Sequence, residues 1–400
     1  MRRPLREVAV VGVGITPHGR VHLEKGWKDL LLEAAAECFA DAGINPREVE
    51  AATVGYQGEI AIETGGIGPI VSDLLGISPA PVAQISANCC SSSMGLTAAF
   101  GWVASGLYDT VLVTGFEKLT DPIHRFELIN VSFDTDYDYM LGFSHADGFS
   151  LVNEAYRRRY HYTLEPYAKW AMQCDWYAKR NSKAMAYKLP PLAWEDVIAG
   201  TPAGENLRES AGGEAAAAIV LVPGDQARRF QRHKPVYIRG ISFKNTSHYL
   251  GHHVHYQDRG LPGNDANDLT FSQIMHIAAR EAYRMAGITP EQVDLAQVYD
   301  RQAAGLVALE SMGLFGRGEA GRAVMEGETG VTGRCPTCTD GGNVRFGFAS
   351  GAKGVAQAAE CVIQLRGEAG ERQVPNARYA VASNTGGVFS QASIAVFSNE

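Results

Sequence analysis

Short apolar runs alternate with amphipathic stretches along most of the chain. Residues 8–11 and 111–113 are apolar and mostly β-branched, and residues 216–222 form a longer run of the same kind. Such runs are typical of strands buried on both faces. Between them, small and apolar residues at helical spacing predict helices, for example over residues 93–106 and 350–365. The alternation predicts an α/β protein with mostly parallel, buried sheets.

An internal repeat organises this pattern. Residues 34–56 align without a gap on residues 278–300, with ten identical positions among the 23. Both copies contain a helix that ends in Ala-Gly-Ile-x-Pro, where glycine favours the left-handed C-cap and proline stops the helix. A further helix and strand follow at similar spacing in each copy. We therefore predict two related halves, residues 1–235 and 236–400.

One stretch of the first half has no counterpart in the second. Residues 119–202 are rich in Tyr, Arg, Asp and Trp. A long segment between packed elements is typical of a functional loop region. We predict that this insertion covers a site.

Composition narrows the class of protein. With 400 residues, 46% hydrophobic and 20% charged, the chain has the composition of a globular protein with a large core. The N-terminus has no apolar signal core, and no apolar run reaches the roughly 18 residues that a membrane span needs. We expect a cytoplasmic protein whose seven cysteines are reduced rather than a disulfide framework.

The net charge restricts the ligands. A formal charge of −8 argues against a nucleic-acid surface. An anionic ligand would therefore need a local basic patch, and the two candidates are Arg157 to Arg159 and the stretch from Arg228 to Lys234. Each can equally be a solvated charged face. Gly12 and Gly14 do not extend to a dinucleotide fingerprint, because the third glycine is missing.

A candidate nucleophile lies within residues 85–96, which read Ile-Ser-Ala-Asn-Cys-Cys-Ser-Ser-Ser-Met-Gly-Leu. A strand-like approach leads into small residues and then a helix. A thiol at such a helix start lies near unpaired backbone N–H groups and the positive end of the helix dipole, and both favour the thiolate. Cys89 and Cys90 can instead be two small core residues. The small residues beside them favour close approach of a substrate.

Several motifs, taken in order, resemble those of the thiolase superfamily, and most closely the sterol-carrier-type thiolases and lipid-transfer proteins. The resemblance covers nearly the whole chain. It implies a duplicated five-layer αβαβα fold, usually dimeric, with a loop domain inserted in the first half for coenzyme A. The motifs are Asn88 to Ser93, Gly115 to Leu119, Val298 to Asp300 with Leu309, Glu310, Gly313 and Leu314, and Thr339 to Gly342.

The resemblance also implies catalytic roles. In the family a cysteine takes the acyl group, and Cys89 matches that position, with Cys90 behind it. The activating histidine of a Gly-His-Pro motif is replaced by Phe348, the repeat counterpart of Cys89. The motif His-Asp-Cys-Phe or Asn-Glu-Ala-Phe becomes residues 299–302, and Cys-x-Gly becomes residues 384–386. Three of the four usual catalytic elements are therefore altered.

The altered positions still allow chemistry. Losing a positioned base typically costs about 10²–10⁴-fold, but a thiol is intrinsically nucleophilic. Tyr299 could donate a hydrogen bond or a proton to a substrate oxygen, or it could simply anchor a strand end. Asn384 could donate to an oxyanion but cannot act as a base.

The resemblance further implies how the ligand is held. Ser350 and Gly351, which follow the altered histidine motif, are expected to contact coenzyme A as a co-substrate. Arg228 is expected to meet its phosphates, since the family's loop domains end near there. Cys90 and Phe348 are expected in the substrate pocket.

A histidine tract offers a replacement base. Residues 245–256 hold four histidines in eight positions, from His248 to His255. The tract could bring an imidazole, for which we select His253, to the thiol. It could also be a polar loop or a metal tract, although the spacing does not suit a regular site and no carboxylate or thiol lies beside it. We expect no metal, and Cys335-Pro336-Thr337-Cys338 is read as a turn because two further zinc ligands are missing.

Three functions follow as hypotheses. The first is thiolysis of a bulky or aromatic β-oxoacyl-CoA through a Cys89 acyl-enzyme, as in benzoylsuccinyl-CoA thiolase of aromatic degradation or in β-oxidation. The second is retro-aldol cleavage of a β-hydroxyacyl-CoA by Tyr299, as in steroid side-chain degradation. The third is non-catalytic binding of acyl-CoA or lipid. By the resemblance we expect a homodimer and a small zinc-ribbon and OB-fold partner.

Overall fold

The computed structural model describes residues 5–19, 21–121, 132–199, 212–230, 232–251, 268–301 and 303–400. Its strands are β1 Val8–Ile15, β2 Ala51–Gly55, β3 Val82–Ile85, β4 Val111–Lys118, β5 Glu214–Pro223, β6 Val236–Asn245, β7 Leu295–Gln297, β8 Tyr379–Gly386 and β9 Gln391–Ser398. Its α-helices are α1 Trp27–Ala42, α2 Gly68–Leu74, α3 Ser91–Ser105, α4 His145–Tyr160, α5 Glu165–Ala178, α6 Trp194–Ile198, α7 Gln273–Ala286, α8 Ala304–Ser311, α9 Ala320–Met325 and α10 Ser350–Arg366.

The sheet topology contains the predicted duplication. The strands form one sheet in the order β3-β2-β4-β5-β1-β6-β9-β8-β7. Read outward from the β1/β6 pair, the first half runs β1-β5-β4-β2-β3 and the second runs β6-β9-β8-β7. A parallel bridge between Ala296 and Thr337 stands where β3 would have its counterpart. The repeat that the sequence shows at residues 34–56 and 278–300 is therefore a repeat of the fold.

The prediction of mostly parallel strands is wrong. Only β2/β3, β2/β4 and β7/β8 are parallel, whereas β1/β5, β4/β5, β1/β6, β6/β9 and β8/β9 are antiparallel. All ten residues of β5 are buried because helices α1 and α10 both pack against it. The apolar run of β5 indicates that both faces of the strand are buried. Such burial is common in parallel sheets, but an antiparallel strand can have it too.

The sheet wraps around two central helices and gives the five predicted layers. Helix α1 packs outside β1 and β5, and its repeat counterpart α7 packs outside β6 and β9. Helices α3 and α10 lie against each other between the two halves. Gly12 and Gly240 stand at equivalent bulges of β1 and β6, where a Cβ would come within 2.6 Å of Cys38 O and 2.0 Å of Ala282 O. These glycines let the outer helices approach, so the Gly-x-Gly of β1 serves packing.

The insertion packs on the second half. Helices α4 and α5 share one buried core with β7, α8 and the segment that contains Cys89. The predicted domain boundaries remain a prediction. No helix in the described ranges is both long and apolar enough to cross a membrane.

Candidate active site

A tight turn between β3 and α3 presents Cys89. Asn88 adopts a φ of 48°, and the Cys90 N–H donates to Ala87 O over 2.9 Å. The Ser91 hydroxyl closes the turn by donating to Asn88 O (2.6 Å) and accepting from the Ala87 N–H (2.9 Å). Cys89 therefore stands two residues before α3. Phe348 stands two residues before α10, which agrees with their equivalence in the repeat.

The thiol of Cys89 is enclosed. Its residue is 3% exposed, and burial raises the pKa of the Cys89 thiol to about 12. The charge of Glu117 raises this pKa further, while Arg301 lowers it. Burial thus outweighs the favourable effect that the sequence suggested for a helix start. Cys90, at the N-cap of α3, is fully buried, and its pKa is also raised by burial.

Four aromatic rings pack together in the buried cluster that also contains Cys89. Tyr299 meets Phe348 edge to face with ring centroids 5.4 Å apart, and it stacks on Phe149 at 5.5 Å. Phe389 meets Phe149 at 6.2 Å. All four residues belong to the buried cluster that contains Cys89. The structure therefore brings the predicted residues Cys89, Tyr299 and Phe348 together.

A cation and a neutral imidazole join this cluster. Arg301 Nη1 donates to His145 Nδ1 over 3.1 Å, and its guanidinium carbon lies 5.7 Å from the centroid of Phe149. Burial lowers the pKa of His145 to about 3, and the Arg301 charge lowers it further, so the imidazole is neutral. Burial raises the pKa of Tyr299 well above its usual value, and only Arg301 opposes that shift. Tyr299 is therefore a hydrogen-bond donor at neutral pH.

Asn384 fixes the nucleophile turn. Its Nδ2 donates to the backbone carbonyl of Cys89 over 2.6 Å, and its Oδ1 accepts from the Thr385 N–H over 2.9 Å. Asn384 is 1% exposed. The sequence suggested that Asn384 donates to an oxyanion. In the structure, one of its N–H groups instead holds the Cys89 turn in place.

Replacing Asn384 by alanine should lower the free energy of unfolding by about 2 kcal/mol, because the buried Cys89 carbonyl loses its donor. Urea unfolding measures the change. Ser383→Ala is the matched control, since the Ser383 hydroxyl is buried without a hydrogen-bond partner among the described residues. Equal effects of the two substitutions would show that the Asn384 contact carries no stability.

The histidine tract reaches the same turn through His248. Its Nε2 lies 3.5 Å from Asn88 Nδ2, and its Nδ1 lies 3.0 Å from Ser390 Oγ. His253, which we selected from the sequence, lies outside the described residues. Of the four histidines, His248 lies within the described residues, where it is half-buried beside Asn88, the residue before Cys89.

Glu117 lies at the carboxyl end of β4, beside the start of α10. Its Oε2 accepts from the Gln57 N–H (3.0 Å), the Ser350 hydroxyl (2.8 Å) and the Gly351 N–H (3.1 Å). Burial raises the pKa of Glu117 to about 7, although these hydrogen bonds oppose the shift. Ser350 and Gly351, predicted to contact coenzyme A, are therefore near the site but bind this carboxylate.

The other predicted residues lie farther away. Arg228 is exposed in the turn Gly224–Arg229 that follows β5. Since β5 runs antiparallel to β4, this turn is at the opposite end of the sheet from Glu117, roughly 25 Å along an eight-residue strand. The structure does not bring Arg228 to Cys89. Cys335 and Cys338 are buried free thiols in a segment that bridges to β7.

Sequence reasoning missed three residues of the site. Glu117 lies in the family-like motif Gly115 to Leu119, but no catalytic role was assigned to it. Arg301 lies in the altered motif at residues 299–302, and it was likewise assigned no role. His145 opens α4 inside the insertion, where no repeat exists to align it. Within the described ranges, no group of three His, Cys, Asp or Glu residues could hold a metal ion.

The duplicated α/β fold, with a buried cysteine just before one of the two packed central helices, is the arrangement expected of a thiolase-like protein. The family comparison agrees. The model described as "Thiolase, N-terminal domain" matches residues 8–192, and "Thiolase C-terminal domain-like" matches residues 262–399. The chain belongs to the thiolase family.

Relatives support this membership, and a solved structure shares the fold. The chain is 31% identical over 400 residues to an acetyl-CoA acetyltransferase of Methanothermobacter thermautotrophicus, covering 98% of this chain and all of that protein. It is 28% identical over 403 residues to sterol carrier protein 2 of Bos taurus, covering 96% of this chain and 71% of that one. The Ltp2-ChsH2(DUF35) aldolase shares the fold with a TM-score of 0.80 and 20% identity over the full length of both chains. The chain is thus a thiolase-like acyltransferase by family.

Proposed function

We propose that this protein cleaves a bulky or aromatic β-oxoacyl-CoA by thiolysis. The Cys89 sulfur attacks the β-carbonyl carbon, and the bond between the α- and β-carbons breaks. The electron pair of that bond leaves on the shorter acyl-CoA as an enolate, which then takes up a proton. The sulfur of coenzyme A displaces the acyl group from Cys89 and regenerates the thiol.

The placement of Cys89 in an aromatic core carries the proposal. The rings of Phe149, Tyr299, Phe348 and Phe389 offer apolar walls to an acyl chain. Arg301 places positive charge where the thiolate and the oxyanion form, and a cation in a buried site stabilises such charge strongly. Phe348 gives the pocket a ring in place of an imidazole, which suits an aromatic acyl group such as that of benzoylsuccinyl-CoA.

Tyr299 supports a second candidate, retro-aldol cleavage of a β-hydroxyacyl-CoA. A tyrosine buried beside Cys89 and Arg301 could hydrogen-bond the hydroxyl or thioester oxygen of such a substrate. The name of the Ltp2-ChsH2(DUF35) aldolase describes this reaction class on the same fold. The raised pKa of Tyr299 makes it a poor base, so thiolysis is preferred. Passive binding of acyl-CoA is the third candidate, and it does not use the charge that Arg301 exerts on the Cys89 thiol.

Assembly is part of the proposal. We infer a homodimer through β3, an edge strand of the described sheet whose four residues are all half-buried. Exposed apolar edges invite pairing with another chain. A small zinc-ribbon and OB-fold partner, a role in aromatic degradation or β-oxidation, and a cytoplasmic location are proposed with it.

An acyl-enzyme trap tests the function. The purified chain is incubated with aromatic and aliphatic β-oxoacyl-CoA thioesters, with and without a candidate partner, and examined by intact mass and peptide mapping. We expect one acyl group per chain, on the peptide that contains Cys89 and on none of the other cysteines. A sample alkylated beforehand with iodoacetamide is the control and should take no acyl group. Product formation without any adduct would contradict the acyl-enzyme.

A further inference from the structure

Glu117 is a buried carboxylate that forms no ion pair with a cation in the described part of the chain. It is fully buried, and its Oε1 has no hydrogen-bond partner among the described residues. Four other buried carboxylates of the described ranges pair with a cation: Asp340 with Lys353, Glu214 with Lys118, Asp175 with Arg345, and Glu360 with Arg372. Three more, Asp138, Asp300 and Glu310, are held by hydrogen bonds instead. Among these eight buried carboxylates, Glu117 is the one with an oxygen that lacks a hydrogen-bond partner in the described ranges. An uncompensated carboxylate is costly to bury, and such groups concentrate at functional sites.

The neighbours of Glu117 leave its charge uncompensated. On its own strand, Lys118 turns away to Glu214 and Asp121. From the end of β2, the Tyr56 hydroxyl accepts from Gln84. From α10, Lys353 pairs with Asp340, and only Ser350 and Gly351 donate to the carboxylate.

The remaining neighbour is the nucleophile. The charge of Glu117 raises the pKa of the Cys89 thiol, and the charge of Arg301 lowers it. Cys89 stands just before α3 and Glu117 binds the first turn of α10, and these two helices pack against each other. The histidine that the family uses for activation is absent from position 348.

We propose that Glu117 is the internal proton acceptor for Cys89. The S–H bond breaks, its electron pair stays on sulfur, and the proton moves to the carboxylate, either directly or through one bound water molecule. The pair carries one negative charge before and after the transfer, so no further charge enters the buried site. This inference rests on the proposed function in one respect, namely that Cys89 is the nucleophile.

The proposal predicts an unusual pH dependence of thiol reactivity. An isolated buried thiol becomes about tenfold more reactive per pH unit until its own pKa is reached. When the proton can move to Glu117, the thiolate fraction of Cys89 rises with pH only until the two groups together have lost one proton. This happens near pH 7, since the pKa of Glu117 is about 7. Above that pH the fraction stays constant, because the transfer then exchanges no proton with solvent.

Iodoacetamide labelling of Cys89, followed by peptide mapping between pH 5.5 and 9.5, measures this dependence. In the wild-type protein we expect the labelling rate to level off above pH 7 and to change less than about threefold between pH 7.5 and 8.5. Glu117→Gln should remove the level region and rise about tenfold over the same interval. Glu117→Asp should restore part of it, and Glu310→Gln, which alters a buried carboxylate elsewhere, should keep it.

Three outcomes would overturn the proposal. The first is a wild-type rate that rises tenfold per pH unit throughout, which needs no variant and holds even if Glu117→Gln fails to fold. The second is a level region that survives in Glu117→Gln. The third is a level region that disappears in His248→Gln and persists in Glu117→Gln, which would assign the proton to the imidazole. Labelling involves no turnover, so these results stand apart from the acyl-enzyme trap.

Discussion

Replacing Cys89 by alanine should lower the rate of coenzyme A-dependent cleavage of a β-oxoacyl-CoA by about 10⁴-fold or more. Without the sulfur no acyl-enzyme forms, and loss of an enzyme nucleophile typically has an effect of this size or greater. The rate is measured by chromatography of the acyl-CoA products. Because the alanine side chain removes only one atom from a packed turn, the fold should be retained, and near-UV circular dichroism checks this.

Cys361→Ala is the matched control for that experiment. Cys361 is equally buried but lies on α10 in the core, away from the aromatic cluster around Cys89. Its replacement should leave the cleavage rate within a few-fold of the wild type. The pair of variants thus separates loss of a nucleophile from loss of a buried thiol.

The same variants distinguish the retro-aldol candidate. Cleavage of a β-hydroxyacyl-CoA that survives Cys89→Ala but is lost in Tyr299→Phe would contradict thiolysis and assign the reaction to the tyrosine. Tyr299→Phe removes one hydroxyl from a ring held between Phe149 and Phe348, so the pocket keeps its shape. For thiolysis we expect the opposite ranking, with the larger loss at Cys89.

The fold could be predicted from the sequence because the duplication shows in short sequence patterns, each confined to one segment. The helix ends at Ala-Gly-Ile-x-Pro recur at both copies, and each copy folds into the same strand order. Strand direction was not predictable in this way. The apolar run of β5 reflects burial on two faces, whereas its direction is set by the path of the chain through the insertion.

The site residues were predicted in two ways: Cys89 from its own segment, and Tyr299, Phe348 and Asn384 through the resemblance to family motifs. Cys89 could be found because the turn, the small residues and the helix are contiguous. Glu117, Arg301 and His145 come from three separate segments, and only folding brings them to one thiol. For the histidines of residues 245–256, the sequence likewise could not show that His248 reaches Asn88, which depends on the fold.

Arg228 remains a predicted contact for the coenzyme A phosphates. Its placement relied on where a loop domain ends in the chain, and the antiparallel course of β5 carries that end across the sheet. Sequence position fixed the order of the segments but not which end of the sheet each one reaches.

Replacing Glu117 by glutamine should raise the free energy of unfolding by about 3 kcal/mol at pH 8. The pKa of Glu117 is raised from 4.5 to about 7 in the folded protein. Between these values the unfolded chain has lost the proton while the folded chain keeps it, so wild-type stability falls as the pH rises from 4.5 to 7. A shift of about 2.5 units at about 1.4 kcal/mol per unit gives the expected size.

Urea unfolding at pH 8 and pH 5 measures this effect. The gain of Glu117→Gln over the wild type should shrink to about 1 kcal/mol or less at pH 5, because most of the wild-type penalty is absent there. Glu24→Gln is the control, since Glu24 is exposed and its replacement should change stability by no more than about 0.5 kcal/mol at either pH. A Glu117→Gln protein that is no more stable than the wild type at pH 8 would show that the carboxylate is compensated in the fold.

Stability and reactivity are expected to move in opposite directions in this one variant. If Glu117 served the structure, neutralising it would lower the stability of the protein, because the three groups that donate to Oε2 would lose an anionic acceptor. If Glu117 serves proton transfer, its buried charge instead lowers the stability of the fold, and the protein retains it because the reaction requires it. We expect the Glu117→Gln protein to be more stable and to lose the level region of Cys89 labelling. A role in proton transfer explains this combination, and a structural role does not.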